Sequence, residues 1–106
     1  MTQMAHGDVV VGTVEGTGAA INIELGFIPS YVKVYNYDDG VTQMEWFNGM
    51  TNAHGLKSTS SAHAKITSLG ISAYAGTDGG YGKGFTIGAD TDLNVDGETM
   101  YYMAVR

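Results

Sequence analysis

The sequence predicts an all-β fold: a single-domain antiparallel β-sandwich, jelly-roll-like, of about eight short strands. Three observations lead there. Apolar and polar residues alternate with period two in short runs along nearly the whole chain. Turn clusters of Gly, Asn, Asp and Ser punctuate these runs, within a composition of 16 Gly against 1 Pro. No stretch carries the 3.6-residue apolar spacing of an amphipathic helix.

Taken in order, residues 9–14 are a β-branched run, and the Gly-Thr-Gly at 16–18 makes a turn. Residues 20–25 alternate, with Ile21, Ile23 and Leu25 on one face, and read as a hairpin partner of the first strand. Pro29 biases Ile28 away from helix. In residues 31–37, Val32, Val34 and Asn36 share one face while Tyr31, Lys33, Tyr35 and Tyr37 share the other. Asp38-Asp39-Gly40 is a strong turn before a strand at 41–46. Residues 47–63 read as one long loop. Short strands follow at 64–69 and 71–74, interrupted at Gly70, and then a glycine-rich loop at 76–84. A strand at 85–87, a polar turn at 90–97 around Leu93 and Val95, and a last strand at 99–105 complete the chain.

A length of 106 residues gives one domain over 1–106, with residues 1–8 as an N-terminal arm. The net charge is −6 and the 5 basic residues are scattered. Phosphate backbones require a clustered positive face, so no nucleic-acid partner is expected. With no cysteine there is neither a disulfide framework nor a thiolate metal site. The start of the chain has no basic segment leading into a long apolar run, which argues against a secretion signal. No apolar stretch is long enough to span a membrane. Synthesis in a cytoplasm is the expectation.

Candidate chemistry is sparse. Asp92-Leu93-Asn94-Val95-Asp96-Gly97 matches the first half of a calcium loop, in which oxygen ligands alternate before a glycine. The position that should supply a bidentate Glu is Met103, so a structural turn with Leu93 and Val95 inward is expected, and no metal. The glycine-rich segment around Lys83 has Thr77 where a phosphate loop needs glycine, and Gly84 where it needs Ser or Thr. His6, His54 and His63 lack the close spacing of a zinc motif. Ser58, Ser60 and Ser61 stand in no nucleophile elbow, and nothing brings two of Glu15, Glu24, Glu45 and Glu98 together. No catalytic residues, cofactor or enzymatic activity are expected.

Aromatic residues carry more information. The tyrosine face of residues 31–37 and the apolar alternation at 99–105 mark either strands central to the fold or a surface that contacts a partner. The partner-interface candidates are Tyr31, Tyr35, Tyr37, Met100 and Tyr102.

Three segments together resemble a known group. Residues 25–36 (LGFIPSYVKVYN) follow a G-F-x-P-x-Y-V-x-V-x-N pattern, residues 46–50 (WFNGM) supply a tryptophan after it, and residues 84–104 (GFTIGADTDLNVDGETMYYMA) form a closing G-F-x-I/V-G, a polar N-x-x-G turn and an aromatic strand ending in Ala. In order and spacing they resemble β-sandwich modules of tailed-phage virion structural proteins. The resemblance implies a non-catalytic virion role. Among such proteins the chain is similar in scale to head decoration, or cement, proteins. That resemblance implies binding to the major capsid protein and to sister subunits as a homodimer or homotrimer on the head surface. It also implies stabilisation of the shell by bridging capsid subunits. The alternative is a tail- or fibre-associated, lectin-like module that binds glycan, with Trp46 and Tyr81 as stacking residues.

Overall fold

The structure, a computed structural model, describes residues 9–76 and 82–106. It is all-β, with eight strands: β1 (Val9–Glu15), β2 (Ile21–Glu24), β3 (Tyr31–Asn36), β4 (Gln43–Phe47), β5 (His54–Ser58), β6 (His63–Tyr74), β7 (Gly84–Ile87) and β8 (Thr99–Val105). All pairings are antiparallel, and they run unbroken in the order β1-β8-β3-β4-β5-β6-β7-β2. The all-β fold of about eight antiparallel strands that the sequence predicts is present, and hydrogen bonding joins all eight into one curled sheet. A meander from β3 to β7 forms its middle, β8 returns to lie between β3 and β1, and β2 closes the far edge.

The curl follows from the alternation. Val32, Val34, Met44, Trp46, Ile71, Phe85, Ile87, Met100 and Ala104 point inward and are almost wholly buried, with Leu93 from the loop before β8 added to them. Burying one apolar face requires the sheet to fold over it. Phe85 on β7 therefore meets Tyr102 on β8 edge to face, ring centres 5.5 Å apart, although several strands separate them within the sheet.

β1 and β2 are not a hairpin. β1 pairs with β8 in the register Gly12↔Tyr102, and β2 pairs with β7 in the register Ile23↔Phe85, so the two lie at opposite ends of the sheet. The predicted loop at 47–63 contains β5, which pairs with both β4 and β6. The two predicted strands around Gly70 are one strand, β6, bulged between Ile66 and Ile71 where its register with β5 shifts. At that bulge the backbones of Leu69, Gly70 and Gly88 come so close that a Cβ on Gly88 would collide with the carbonyls of the other two.

The polar turn before β8 ties the sheet ends together. The buried Asn94 amide accepts from Thr17 N–H (3.0 Å) and donates to the carbonyls of Ala19 (2.7 Å) and Gly88 (3.0 Å). Asn36, also buried, donates to Leu93 O (3.2 Å) and Glu98 Oε1 (2.8 Å), while its own Oδ1 accepts from Asp39 N–H (2.9 Å). Two side-chain amides thus hold the loop from β1 to β2, the β3–β4 turn and the approach to β8 in one network.

Candidate interaction surface

Registers decide which residues reach the outside of the sheet. Tyr31, Lys33 and Tyr35 of β3 stand opposite Val105, Met103 and Tyr101 of β8, and opposite Phe47, Glu45 and Gln43 of β4. Val9, Val11 and Thr13 of β1 stand opposite the same three β8 residues. Directly opposed residues share a face, so all of these project from the convex side. Val11 is 72% exposed, Tyr37 65%, Tyr101 49%, Phe47 48%, Val9 46% and Tyr35 40%. Large apolar and aromatic side chains thus cluster on this face, where a monomer ordinarily exposes them singly.

The rings organise this face. Tyr37 packs edge to face on Tyr101 at 5.3 Å, and Tyr31 lies 5.0 Å from Phe47. The Lys33 ammonium sits 5.0 Å from the centre of the Tyr35 ring. Tyr35, Tyr37 and Tyr101, with Asn36 and Gly40, line an open groove of about 470 Å³. Tyr31 is more enclosed than Tyr35 or Tyr37. Its hydroxyl donates to Glu45 Oε2 at 2.6 Å, and burial together with that carboxylate pushes its pKa up to about 12.

The predicted interface residues divide. Tyr31, Tyr35 and Tyr37 lie together on the outer face. Met100 does not: it opposes Asn36, points inward and has no exposed surface, so it is a core residue. Tyr102 opposes Val34 on the inner side and lies half-buried over Gly12 and against Phe85. Both faces of β8 are apolar, so its sequence alone did not say which one looks outward. The outer members are Tyr101 and Met103, which the sequence reading passed over. Trp46 is 1% exposed and cannot stack on a ligand; its indole Nε1 has no hydrogen-bond partner among the described residues. Tyr81, residues 1–8 and most of the glycine-rich loop lie outside the described residues.

The calcium-like segment has another use. Asp92 binds the Lys57 ammonium at 2.7 Å, and Lys57 also reaches Asp90 at 2.9 Å. Asp90 Oδ2 accepts from the backbone N–H groups of Asp92 (3.1 Å) and Leu93 (3.0 Å). Burial alone would lower the Lys57 pKa, but Asp92 and Asp90 outweigh it and raise it. Asn94 is committed to backbone groups, and Asp96 is exposed. Among the described residues, no three His, Asp or Glu side chains converge as a metal site would require.

One polar pair was not visible in the sequence. Ser58 Oγ lies 2.7 Å from His63 Nδ1, directly across the β5–β6 ladder, next to the turn closed by Thr59 N–H on Ala62 O (2.8 Å). The two are cross-strand neighbours in an exposed hairpin, so ladder register accounts for their contact. Among the described residues no carboxylate hydrogen-bonds to the other ring nitrogen of His63. No helix among the described residues is long and apolar enough to cross a membrane.

Comparison with protein families, with curated proteins and with solved structures returns no match for this chain.

Proposed function

We propose that this chain is a non-enzymatic virion structural protein: a head decoration subunit that docks by its convex aromatic face and stabilises the shell by bridging capsid subunits. The observation that carries the docking is the contiguous exposed surface of Val11, Tyr35, Tyr37 and Tyr101 on three adjacent strands. Large amphipathic rings on a rigid sheet are the side chains that anchor protein interfaces. The virion assignment rests on the ordered resemblance of residues 25–36, 46–50 and 84–104 to tailed-phage modules. Many of those residues are structural here, while Tyr35 and Tyr101 within them belong to the exposed face. Pro29, Asn36, Phe85, Ile87 and Asn94 are all buried, so the pattern describes the frame that carries the face. A subunit that binds only the assembled shell stabilises that state by mass action.

A Tyr35→Ala, Tyr37→Ala double variant tests this reading. Val32 and Val34 keep the inner face, so the variant folds with an unchanged β spectrum. It should load poorly onto heads lacking the chain, each lost ring weakening docking by about 1–2 kcal/mol, and those heads should break more readily on heating. Normal loading would sink the docking face. The copy number of the chain in purified particles tests the location: hundreds place it on the shell, a handful in the tail.

A second reading, a tail-associated glycan-binding module, has one supporting feature, the tyrosine-lined groove beside Gly40. It predicts saturable binding of a cell-surface oligosaccharide that Tyr101→Ala abolishes.

A further inference from the structure

We infer that β1 is an open pairing edge, and that a second copy of this chain adds to it through an antiparallel β1–β1 ladder centred on Gly12, making one sheet continuous across a twofold dimer. The inference refines the sister-subunit part of the proposed function and does not depend on the shell.

The hydrogen-bond phase of the sheet gives the argument. Tyr37 N–H donates to Thr99 O at 2.9 Å, in line with the pairing of Tyr35 with Tyr101, so the odd-numbered residues of β8 are spent on β3. On its other side Gly16 N–H donates to Glu98 O at 2.7 Å, in line with Val14↔Met100, Gly12↔Tyr102 and Val10↔Ala104. Val10, Gly12 and Val14 therefore bond to β8. Val9, Val11, Thr13 and Glu15 turn their N–H and C=O groups away from it. Among the described residues nothing hydrogen-bonds to those groups, and β1 ends the strand order.

The two edges of the sheet differ in kind. β2 is four residues long and carries exposed Asn22 and Glu24, features that discourage pairing. β1 is seven residues long, keeps an unbroken register with β8, contains neither Lys nor Pro, and exposes Val9 and Val11. A long, regular, apolar edge is a template for another strand.

A second β1 fits in one phase. Hydrogen-bonded pairs must join outward-facing residues, so Val11 meets the second copy's Thr13 and Val9 its Glu15. That register uses the whole strand and provides about eight backbone bonds. Val10 then opposes the second copy's Val14 on the inner side, a β-branched pair of the kind that stabilises ladders. The two Glu15 carboxylates fall at opposite ends, roughly 20 Å apart. Gly12 meets its own copy at the axis, where non-hydrogen-bonded Cα atoms approach to roughly 4.5 Å and a residue without a side chain fits best. The contact is isologous and closes after two subunits.

Sedimentation of the full chain, with amide hydrogen exchange, tests the pairing. The wild type should be a dimer at micromolar concentration, and the Val11 and Thr13 amides should exchange more slowly as concentration rises. Val11→Pro removes an outward N–H that β8 does not use, so it should keep the β spectrum and raise the dimer dissociation constant roughly tenfold or more. Thr13→Lys, which adds a charge without touching the backbone, should act in the same direction if Val11→Pro fails to fold. A wild-type monomer, a dimer that survives both variants, or a dimer lost only in the Tyr35→Ala, Tyr37→Ala variant would overturn the inference. So would protection of Val11 and Thr13 that does not vary with concentration, since the edge would then be covered from within the chain. A monomeric Val11→Pro variant that still loads onto heads would uphold edge pairing and show that docking does not need it.

Discussion

Tyr31 shows how one contact separates two neighbours of the same type. Tyr31 and Tyr35 share a strand face, yet Tyr31 is half-buried against Glu45 and Phe47 while Tyr35 is exposed. Burial and the Glu45 carboxylate both favour the neutral phenol, so the folded pKa of about 12 lies above the 10.0 of an ordinary tyrosine. A raised folded pKa stabilises fully below the unfolded value and is lost as pH rises through the folded one. Stability should therefore fall between about pH 10 and 12, and Tyr31→Phe should flatten that decline in urea titrations. Glu45→Gln should bring the Tyr31 absorbance titration down toward the ordinary tyrosine range; a transition left near 12 would remove Glu45 from the account. The tyrosine face itself was legible because period-two alternation places residues on faces without any knowledge of partners. Met100 and Tyr102 were misplaced because β8 is apolar on both sides, and only its register with β3 decides between them.

At the scale of elements, the sequence revealed strands wherever the inward positions are large and apolar. It concealed β5, whose inward residue is Gly55, packed against Met44, with Lys57 beside it. Tertiary pairing with β4 and β6 makes that segment a strand against its own propensity. The β1–β2 hairpin failed for a related reason: a short connection is normally local, but here it crosses from one edge of the sheet to the other, and sequence distance carries no sign of this. The β6 bulge holds the clearest local strain. Leu69, exposed and on a strand, has φ 63°, a left-handed conformation that γ-branched residues adopt at an energetic cost. Leu69→Gly should raise the melting temperature by a few degrees, a gain of about 0.5 kcal/mol after glycine's entropy is set against the relieved strain. Leu69→Val should lower stability by about 1 kcal/mol or more, because β-branching is least compatible with that φ. Equal effects from both would mean that the bulge relaxes around the side chain.

Across the whole molecule, order depends on a few polar residues that connect distant segments, since the chain has no disulfide. Lys57 on β5 ties Asp90 and Asp92 of the loop before β8 to the middle of the meander. Lys57→Met should destabilise by about 2 kcal/mol, less than for a fully buried pair because Asp92 is exposed. A chelator should leave the melting temperature of the wild type unchanged, since an ammonium already holds these carboxylates; a drop reversed by calcium would contradict that arrangement. The position of β8 between β1 and β3 has a consequence in time. During synthesis β3 to β7 can pair with their sequence neighbours as they emerge, but β1, made before them, must wait some ninety residues for its partner. Until Ala104 has left the ribosome, a valine-rich strand has both edges open and the core lacks Met100. Nascent chains crowded on one message would then hold identical β1 strands unpaired and close together. The edge that joins two finished subunits would be available to neighbouring unfinished ones, and the speed at which β8 arrives would decide between assembly and aggregation.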